Sequence, residues 1–411
     1  MLWSSRRKTE VLDYNMDVQL ITSLFFISLL VGNIIKIGIG GDASLYIHDV
    51  VLLLLVSAFS LQQYRKGVRA IPRLAWYVLG FAAIAICSLV LNARRFTSVE
   101  SGQSLLYLVR WLLYASLYWI TAFSQYPSLW LTGLYGAGMG VAVLGFLQLW
   151  LYPDLRNLYY LGWDPHFRRM FSTLLDPNFT GIIIVLTFFL GLLLYPRIAK
   201  KAWIVLGEAI LVIALLTTYS RSSFLAFGLG IAALVLWQKA WRCGALLLAV
   251  FAAGVILMSG QTEGQRLTRS ASAYARIGNW TKTIALVKKS PIVGYGFNTL
   301  RFVRGEETNG ADSAIPSRAG SGVDNSILFL LATTGIVGAV YYLWLLCRMV
   351  RLASHPSVSA SFVAILVHSM FVNSLFYPWV MIWMWIVIGV RERELAPRQK
   401  SARAKFCRGV N

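Results

Sequence analysis

The sequence predicts an all-α polytopic membrane protein of about 12 transmembrane helices. One large extracytoplasmic loop is expected to carry an amphipathic helix lying on the membrane surface. Three observations predict this. Of the 411 residues, 57% are hydrophobic and 13% charged, with mean hydropathy +0.64, whereas soluble domains are roughly 45–50% apolar. Apolar runs near the ~20 residues that cross a bilayer recur from one end of the chain to the other. Basic residues collect in alternate connecting segments. No window reads as a separate soluble domain. Residues 1–411 therefore form one integral membrane domain, with the large loop at 260–322 and a basic cytoplasmic tail at 391–411.

In hydrocarbon the backbone must satisfy its own hydrogen bonds, so the spanning runs are helices. The expected spans are 18–39, 45–61, 74–91, 104–123, 128–151, 179–195, 202–218, 222–238, 243–259, 326–347, 358–375 and 378–390. The first follows Arg6, Arg7 and Lys8 and has no small-residue cleavage site after it, so it reads as an uncleaved helix. The last is short enough to be either a crossing or a re-entrant segment. Its sequence "PWVMIWMWIVIGV" is aromatic-rich, as interfacial anchors are.

Orientation follows from charge. With the N-terminus inside, the inner segments carry 21 basic residues, including Arg65, Lys66, Arg197, Lys200, Lys201 and seven from Arg391 onward. The short outer loops carry seven: Lys36, Arg94, Arg95, Arg156, Arg168, Arg169 and Arg221. That bias puts both termini in the cytoplasm and requires an even number of spans. Cys87, Cys243, Cys347 and Cys407 avoid the outer loops, so no disulfide is expected. There is no CxxC, HExxH or histidine cluster, and no metal is expected.

Residues 260–322 hold nine basic and four acidic side chains. Positive-inside selection acts on short loops, so a long outer loop can be basic. A basic outer surface suits an anionic substrate. Within it, Ile277, Trp280, Ile284 and Val287 recur at helical spacing as an apolar face, and Arg269, Arg276 and Thr283 line another. Such a helix lies along a membrane surface or packs over the mouth of the bundle. It stops at Pro291, and Gly294 and Gly296 make the following backbone turn-rich.

The stretches "TYSRSSFLAFGLG" (218–230), "ARIGNW" and "SPIVGYGFNTL" in the large loop, and "DNSILFLLATTGIVG" (324–338) together resemble the O-antigen ligase/polymerase family. "LLDPNFTG" (174–181) is similar to that family's Pro-Asn element. The resemblance implies a GT-C-like bacterial membrane glycosyltransferase in the inner membrane with its active site facing the periplasm. It implies an undecaprenyl pyrophosphate donor of the glycan. The acceptor is lipid A–core for a ligase, or another lipid-linked repeat unit for an O-antigen or exopolysaccharide polymerase. Neither a nucleotide sugar, a cofactor nor a metal is implied, because the lipid pyrophosphate is already activated. Implied partners are the donor, the acceptor, membrane lipid and other polysaccharide-assembly membrane proteins, with no nucleic acid.

Arg221 matches the family's arginine at the head of a helix, and Arg276 matches the arginine four positions before the tryptophan, here Trp280. Arginine offers a permanently charged fork that phosphate takes bidentately. A helix N-terminus at Arg221 adds free N–H groups. The alternative for Arg221 is an interfacial snorkelling residue. Asp324 stands where family ligases typically place a histidine, ahead of Asn325 and Gly335 at the family's spacing. A carboxylate can act as general base toward an acceptor hydroxyl, particularly if burial raises its pKa. Asp324, Asn325 or Ser326 can equally cap the next helix. The missing histidine favours polymerase over ligase. His166 is a second candidate base, or a solvated loop residue, with Arg168 and Arg169 extending the basic surface. Asp176 and Asn178 orient sugar hydroxyls or end a loop.

Ionisable groups inside spans are costly and need partners. Arg110 and Glu208 are expected to pair with each other or to face a wet cavity, where Arg110 can contact substrate. His48 and Asp49 are placed to cap the second span, and His368 lies in the eleventh. A lipid-linked oligosaccharide flippase or exporter is the rival class. It predicts repeated halves and broken helices near mid-depth, and no internal repeat is visible. A non-catalytic assembly scaffold is a third reading.

Overall fold

The computed structural model describes residues 18–40, 43–67, 71–161, 164–258, 265–266, 271–307 and 322–408. Arg6, Arg7, Lys8 and Arg269, together with 259–264, 267–270 and 308–321 of the large loop, lie outside the described residues.

Helices dominate. In order they are α1 (Val18–Val31), α2 (Ile47–Arg65), α3 (Ala75–Leu91), α4 (Ser98–Phe123), α5 (Pro127–Leu151), α6 (Pro177–Leu194) and α7 (Lys201–Thr217). Then follow α8 (Arg221–Gln238), α9 (Trp241–Leu257), α10 (Ala271–Lys289), α11 (Leu300–Glu307), α12 (Ser326–Ala353), α13 (Pro356–Ser369) and α14 (Pro378–Arg408). Among the described residues, six are long and apolar enough to cross a membrane: α2, α4, α5, α6 with its terminal turn, α8 and α12. Four shorter helices, α1, α3, α9 and α13, are also apolar. The protein is an all-α membrane protein, with one small hairpin among the described residues.

Two expected spans end early. The run 18–39 is helical only to Val31. Gly32 follows at φ +57°, and a Cβ there would run into the Thr173 backbone. The chain then forms β1 (Lys36–Gly40), antiparallel to β2 (Ala43–Tyr46), with Lys36 opposite Tyr46. β-Branched residues at 35, 37 and 39 alternate with Lys36 and Gly38, a period that suits a strand. The run 358–375 is helical only to Ser369. Residues 370–377 form a tight turn that closes through Phe371 N–H to His368 O (3.0 Å) and Tyr377 N–H to Ser374 O (3.1 Å).

α14 continues without a break from the last apolar run into the basic tail. Its tryptophans are core residues rather than interfacial anchors, because α14 lies along α4 and also touches α5 and α12. Trp379, Trp383 and Trp385 are buried, and Trp385 packs edge-on to Trp111. α6 is buried on nearly every side between α5, α7, α8 and α13. A helix apolar all round belongs there.

Arg110 and Glu208 do not pair. Arg110 donates Nε to Asp49 Oδ1 (3.0 Å) and lies 2.8 Å through Nη2 from Oδ2. Asp49 also accepts from the Tyr46 N–H at the head of α2 (2.9 Å), the capping role expected of it. Glu208 accepts from the Tyr135 hydroxyl at 3.4 Å.

One splice holds the large loop to the bundle. α12 is interrupted at Gly335 (φ +66°, ψ −171°), which frees carbonyls that a regular helix would use. The backbone of 291–296 takes them. Tyr295 and Gly296 donate to Ala332 O and Thr333 O (2.9 Å each), and Ile336 donates to Pro291 O (2.9 Å). Ser88 of α3 and Asn92, which follows its last residue, cross-link the same backbone through Val293 O (2.6 Å) and Gly294 O (3.1 Å).

α10 is present, with Trp280 and Val287 of its apolar face partly buried against the core. Thr283 and Leu286 are buried, whereas Ile277 and Ile284 are exposed. The helix packs on α12, and Arg304 of α11 reaches under it to Asn279 Oδ1 (3.0 Å) and to the Thr283 hydroxyl. That satisfies a polar residue on the packed side.

Candidate functional site

Five segments converge at one end of the bundle: the loop 164–176, the head of α8, α10, the head of α12 and the turn 370–377. Each charged side chain has a local reason to stand there.

Ser220 caps α8, its Oγ accepting the Ser223 N–H, so Arg221 is the first helical residue. Arg276 projects from α10 into the same cavity of about 370 Å³, which Leu225, Ile277, Trp280 and Phe371 otherwise line with apolar surface. The two guanidiniums are close enough to act on each other. Like charges kept together beside apolar walls make a strong site for a polyanion.

Asp324 precedes α12 and does not cap it. Asn325 does: its Oδ1 accepts from the Ile327 and Leu328 N–H groups (2.9 and 3.0 Å). Its Nδ2 donates to Met370 O (3.0 Å), tying α12 to the 370–377 turn. The Asp324 carboxyl is half-buried. Burial pushes its pKa above the usual carboxylate value, Asp176 pushes it further, and Arg276 and Arg304 pull it back. The Trp280 indole donates to the Asp324 carbonyl at 3.3 Å.

Asp176 caps α6, accepting from Asn178 N–H (2.6 Å) and Phe179 N–H (3.0 Å). Burial raises its pKa, while those amides, Arg169 and Arg276 oppose the rise. Asn178 braces the head of α8, its Oδ1 accepting from the Ser220 hydroxyl at 2.9 Å. Ser223 continues the network to His368 Nε2 (3.2 Å), and His368 Nδ1 meets Ser374 Oγ (2.6 Å). Hydroxyls and an imidazole thus lock three helix ends and the turn together in a buried chain.

Arg169 does not extend a basic surface as expected. It is buried, donating Nε to Thr218 O (3.0 Å) and Nη2 to Tyr219 O (3.3 Å), where the backbone turns between α7 and α8 with Tyr219 at φ +49°. Its Nη1 lies 3.3 Å from His166 Nδ1. His166, Asp164 and Asp176 bring their ligand atoms within 4.8 Å of one another. An arginine can only donate, so Nδ1 is the acceptor and the imidazole proton sits on Nε2. Desolvation first, then the Asp176 and Asp324 charges, raise the Asp164 pKa to about 6. The three carboxyl groups therefore act on one another electrostatically.

Of the residues singled out from sequence, Arg221, Arg276, Asp324, Asn325, Asp176, Asn178 and His166 come together here. Arg110 does not. It lines a second cavity beyond the 370–377 turn, with Tyr46, Tyr107 and Tyr377. Asp164, Arg304 and the serines around His368 escaped sequence reasoning. Asp164 lies two residues before His166 in the same loop, which was the available signal. His368 looked like an isolated intramembrane histidine, and only the early end of α13 brings it to the site.

Residues 206–343, from within α7 to within α12, match the family model described as O-antigen ligase. That segment contains Arg221, Arg276, Asp324, Asn325 and Gly335, and leaves out the 164–178 loop, Arg110 and His368. Comparison with curated proteins gives no match.

Proposed function

We propose that this protein is a membrane glycosyltransferase working at the outer face of a bacterial inner membrane, a reading supported by the match of residues 206–343 to the family model described as O-antigen ligase. It moves a glycan from undecaprenyl pyrophosphate to a sugar hydroxyl. The observation that carries this reading is the joint placement of Arg221 and Arg276 on one apolar-walled cavity beside the Asp324 carboxyl. The two forks hold the pyrophosphate and stabilise the charge that grows on it as the glycosyl bond breaks. The acceptor oxygen attacks the anomeric carbon, the electron pair of the broken C–O bond leaves with the pyrophosphate, and Asp324 takes the hydroxyl proton.

The substitution of Asp324 for the ligase histidine favours a repeat-unit polymerase. The family description itself favours the second reading, transfer to lipid A–core. Surface polysaccharide from a strain lacking the protein separates them. Single repeats still joined to lipid A–core, with no long chains, identify a polymerase. Bare core with polymer accumulating on undecaprenyl pyrophosphate identifies a ligase. Unaltered polysaccharide, with no turnover of lipid-linked glycan by the purified protein, overturns both.

A further inference from the structure

The second cavity, of about 290 Å³, has a different chemistry from the first. Its floor is a set of rings, Phe297, Phe329 and Phe376, with centroids 5.0–6.1 Å apart. Tyr46, Tyr107 and Tyr377 add amphipathic rings, and Asn298 and Asn373 add amides. Asn298 is held at φ +61° in the turn that follows the splice on α12. The Asn373 Oδ1 is buried with no hydrogen-bond partner. An unmet acceptor of that kind is explained by a guest that donates to it.

Arg110 decides what kind of guest. Two of its nitrogens, Nε and Nη2, are engaged by Asp49, so its charge is cancelled locally while Nη1 is left to donate. A neutralised guanidinium among amides and phenols does not select an anion as Arg221 and Arg276 do. Flat aromatic surface beside amide, phenol and N–H groups suits a neutral polyol whose rings have one apolar C–H face and an edge of hydroxyls. The volume lies near the low end of the roughly 300–1,000 Å³ of small-molecule sites, which fits one or two sugar rings.

The cavity also communicates with the carboxylates. Tyr377 is close enough for both Asp176 and Arg110 to act on it electrostatically. Its ring stacks on Phe179 at 3.7 Å and 9°, and the Phe179 N–H binds Asp176. Its hydroxyl is held by Asn33 Nδ2 at 3.3 Å. The turn 370–377 thus divides an arginine cavity from an aromatic one, with Asp176 between them.

We propose that the cavity of Tyr46, Tyr107, Arg110, Asn298, Asn373 and Tyr377 is a subsite for the terminal sugars of a neutral oligosaccharide. Given the glycosyl transfer proposed above, on which this role rests, that oligosaccharide is the acceptor, presented with its hydroxyl toward Asp176 and Asp324. Binding does not require turnover, so it is tested separately. The probe is repeat-unit oligosaccharide released by mild acid from the surface polysaccharide of the cells that make this protein. The readout is saturation-transfer NMR on the full chain in detergent. Wild type should transfer saturation to the sugar ring protons. Asn373→Ala and Tyr107→Ala should each weaken binding about tenfold, the scale of one lost hydrogen bond or ring contact. Tyr107→Phe, which keeps the ring, should retain most of the signal and shows that the fold survives a change at this position. Arg221→Lys should leave it unchanged. No transfer in wild type, undiminished transfer in both alanine variants, or equal loss in Arg221→Lys overturns the subsite. Sugar binding without turnover of lipid-linked glycan leaves the subsite standing and removes only the enzymatic reading.

Discussion

Asn325 ties the head of α12 to the turn after α13: its side-chain amide donates to Met370 O at 3.0 Å while its oxygen caps the helix. The asparagine therefore does the structural work that the neighbouring carboxylate was equally placed to do. Asp324 is released from capping and stands half-buried among Arg276, Arg304 and Asp176. The same bond holds the turn that separates the two cavities, so the geometry of both depends on it.

Gly335 is expected to tolerate no side chain. At φ +66° a non-glycine residue is strained, and a Cβ would collide with the Ile292 carbonyl that lies against it. Gly335→Ala should force Pro291–Gly296 off α12 and break several backbone hydrogen bonds at once. A loss of about 3 kcal/mol or more is expected from such a combination. Thermal unfolding of the detergent-purified protein checks this. A melting temperature equal to that of wild type would mean that the splice does not hold the loop.

Much of this framework is legible in the sequence, and the failures have physical causes. Hydropathy placed a helix at every expected span, because burial in lipid or in the bundle needs the same apolar composition. Composition does not say where such a run stops being helical. The alternation at 35–39 and the turn at 370–377 are both apolar, so hydropathy carried the helices through them. It also cannot tell a buried tryptophan from an interfacial one, which is why α14 looked peripheral. In the site, Arg221 and Arg276 stood out because they match arginines of the family that the sequence resembles. Asp164 and Arg304 did not, since their meaning depends on partners more than a hundred residues away in one case and across two helices in the other.

Replacing Arg221 or Arg276 by lysine keeps the charge and loses the planar fork. If each holds pyrophosphate through charge-assisted hydrogen bonds of roughly 1.5–3 kcal/mol, turnover should fall about ten- to hundredfold. Membrane insertion should be unaffected. Polymer length and quantity in cells expressing each variant, normalised to protein, measure the effect. Normal polymer from both would leave these arginines as packing residues.

Asp164 should give the fold a pH dependence. Its folded pKa, raised to about 6 from an ordinary 3.8, means that the native state holds this proton more tightly than the unfolded chain does. Its contribution is therefore fully present below about pH 4 and is lost as pH rises through about 6. Asp164→Asn removes that loss. The variant should melt at a higher temperature than wild type at pH 7.5, with the gap closing toward pH 4.5. A gap that is the same at both values would show that Asp164 titrates normally.

Asp324→Asn tests the base directly, and the structure makes the test cleaner than the sequence alone allowed. Because Asn325 caps α12, the change at 324 removes a charge and a proton acceptor without touching a cap. The variant should fold, insert and bind donor. Turnover should drop by about 10²–10⁴, the usual contribution of a general base. The raised pKa of Asp324 makes it a better proton acceptor than a solvated carboxylate. Asp324→His should recover part of the lost rate, since imidazole accepts a proton near neutral pH and the resemblance to family ligases places that side chain at this position. Wild-type turnover in the Asn variant would move the base to the carboxyl groups next to it. Asp176 spends Oδ1 on the α6 cap, and His166 Nδ1 is taken by Arg169. Asp164, with a pKa of about 6, would then be the first to replace.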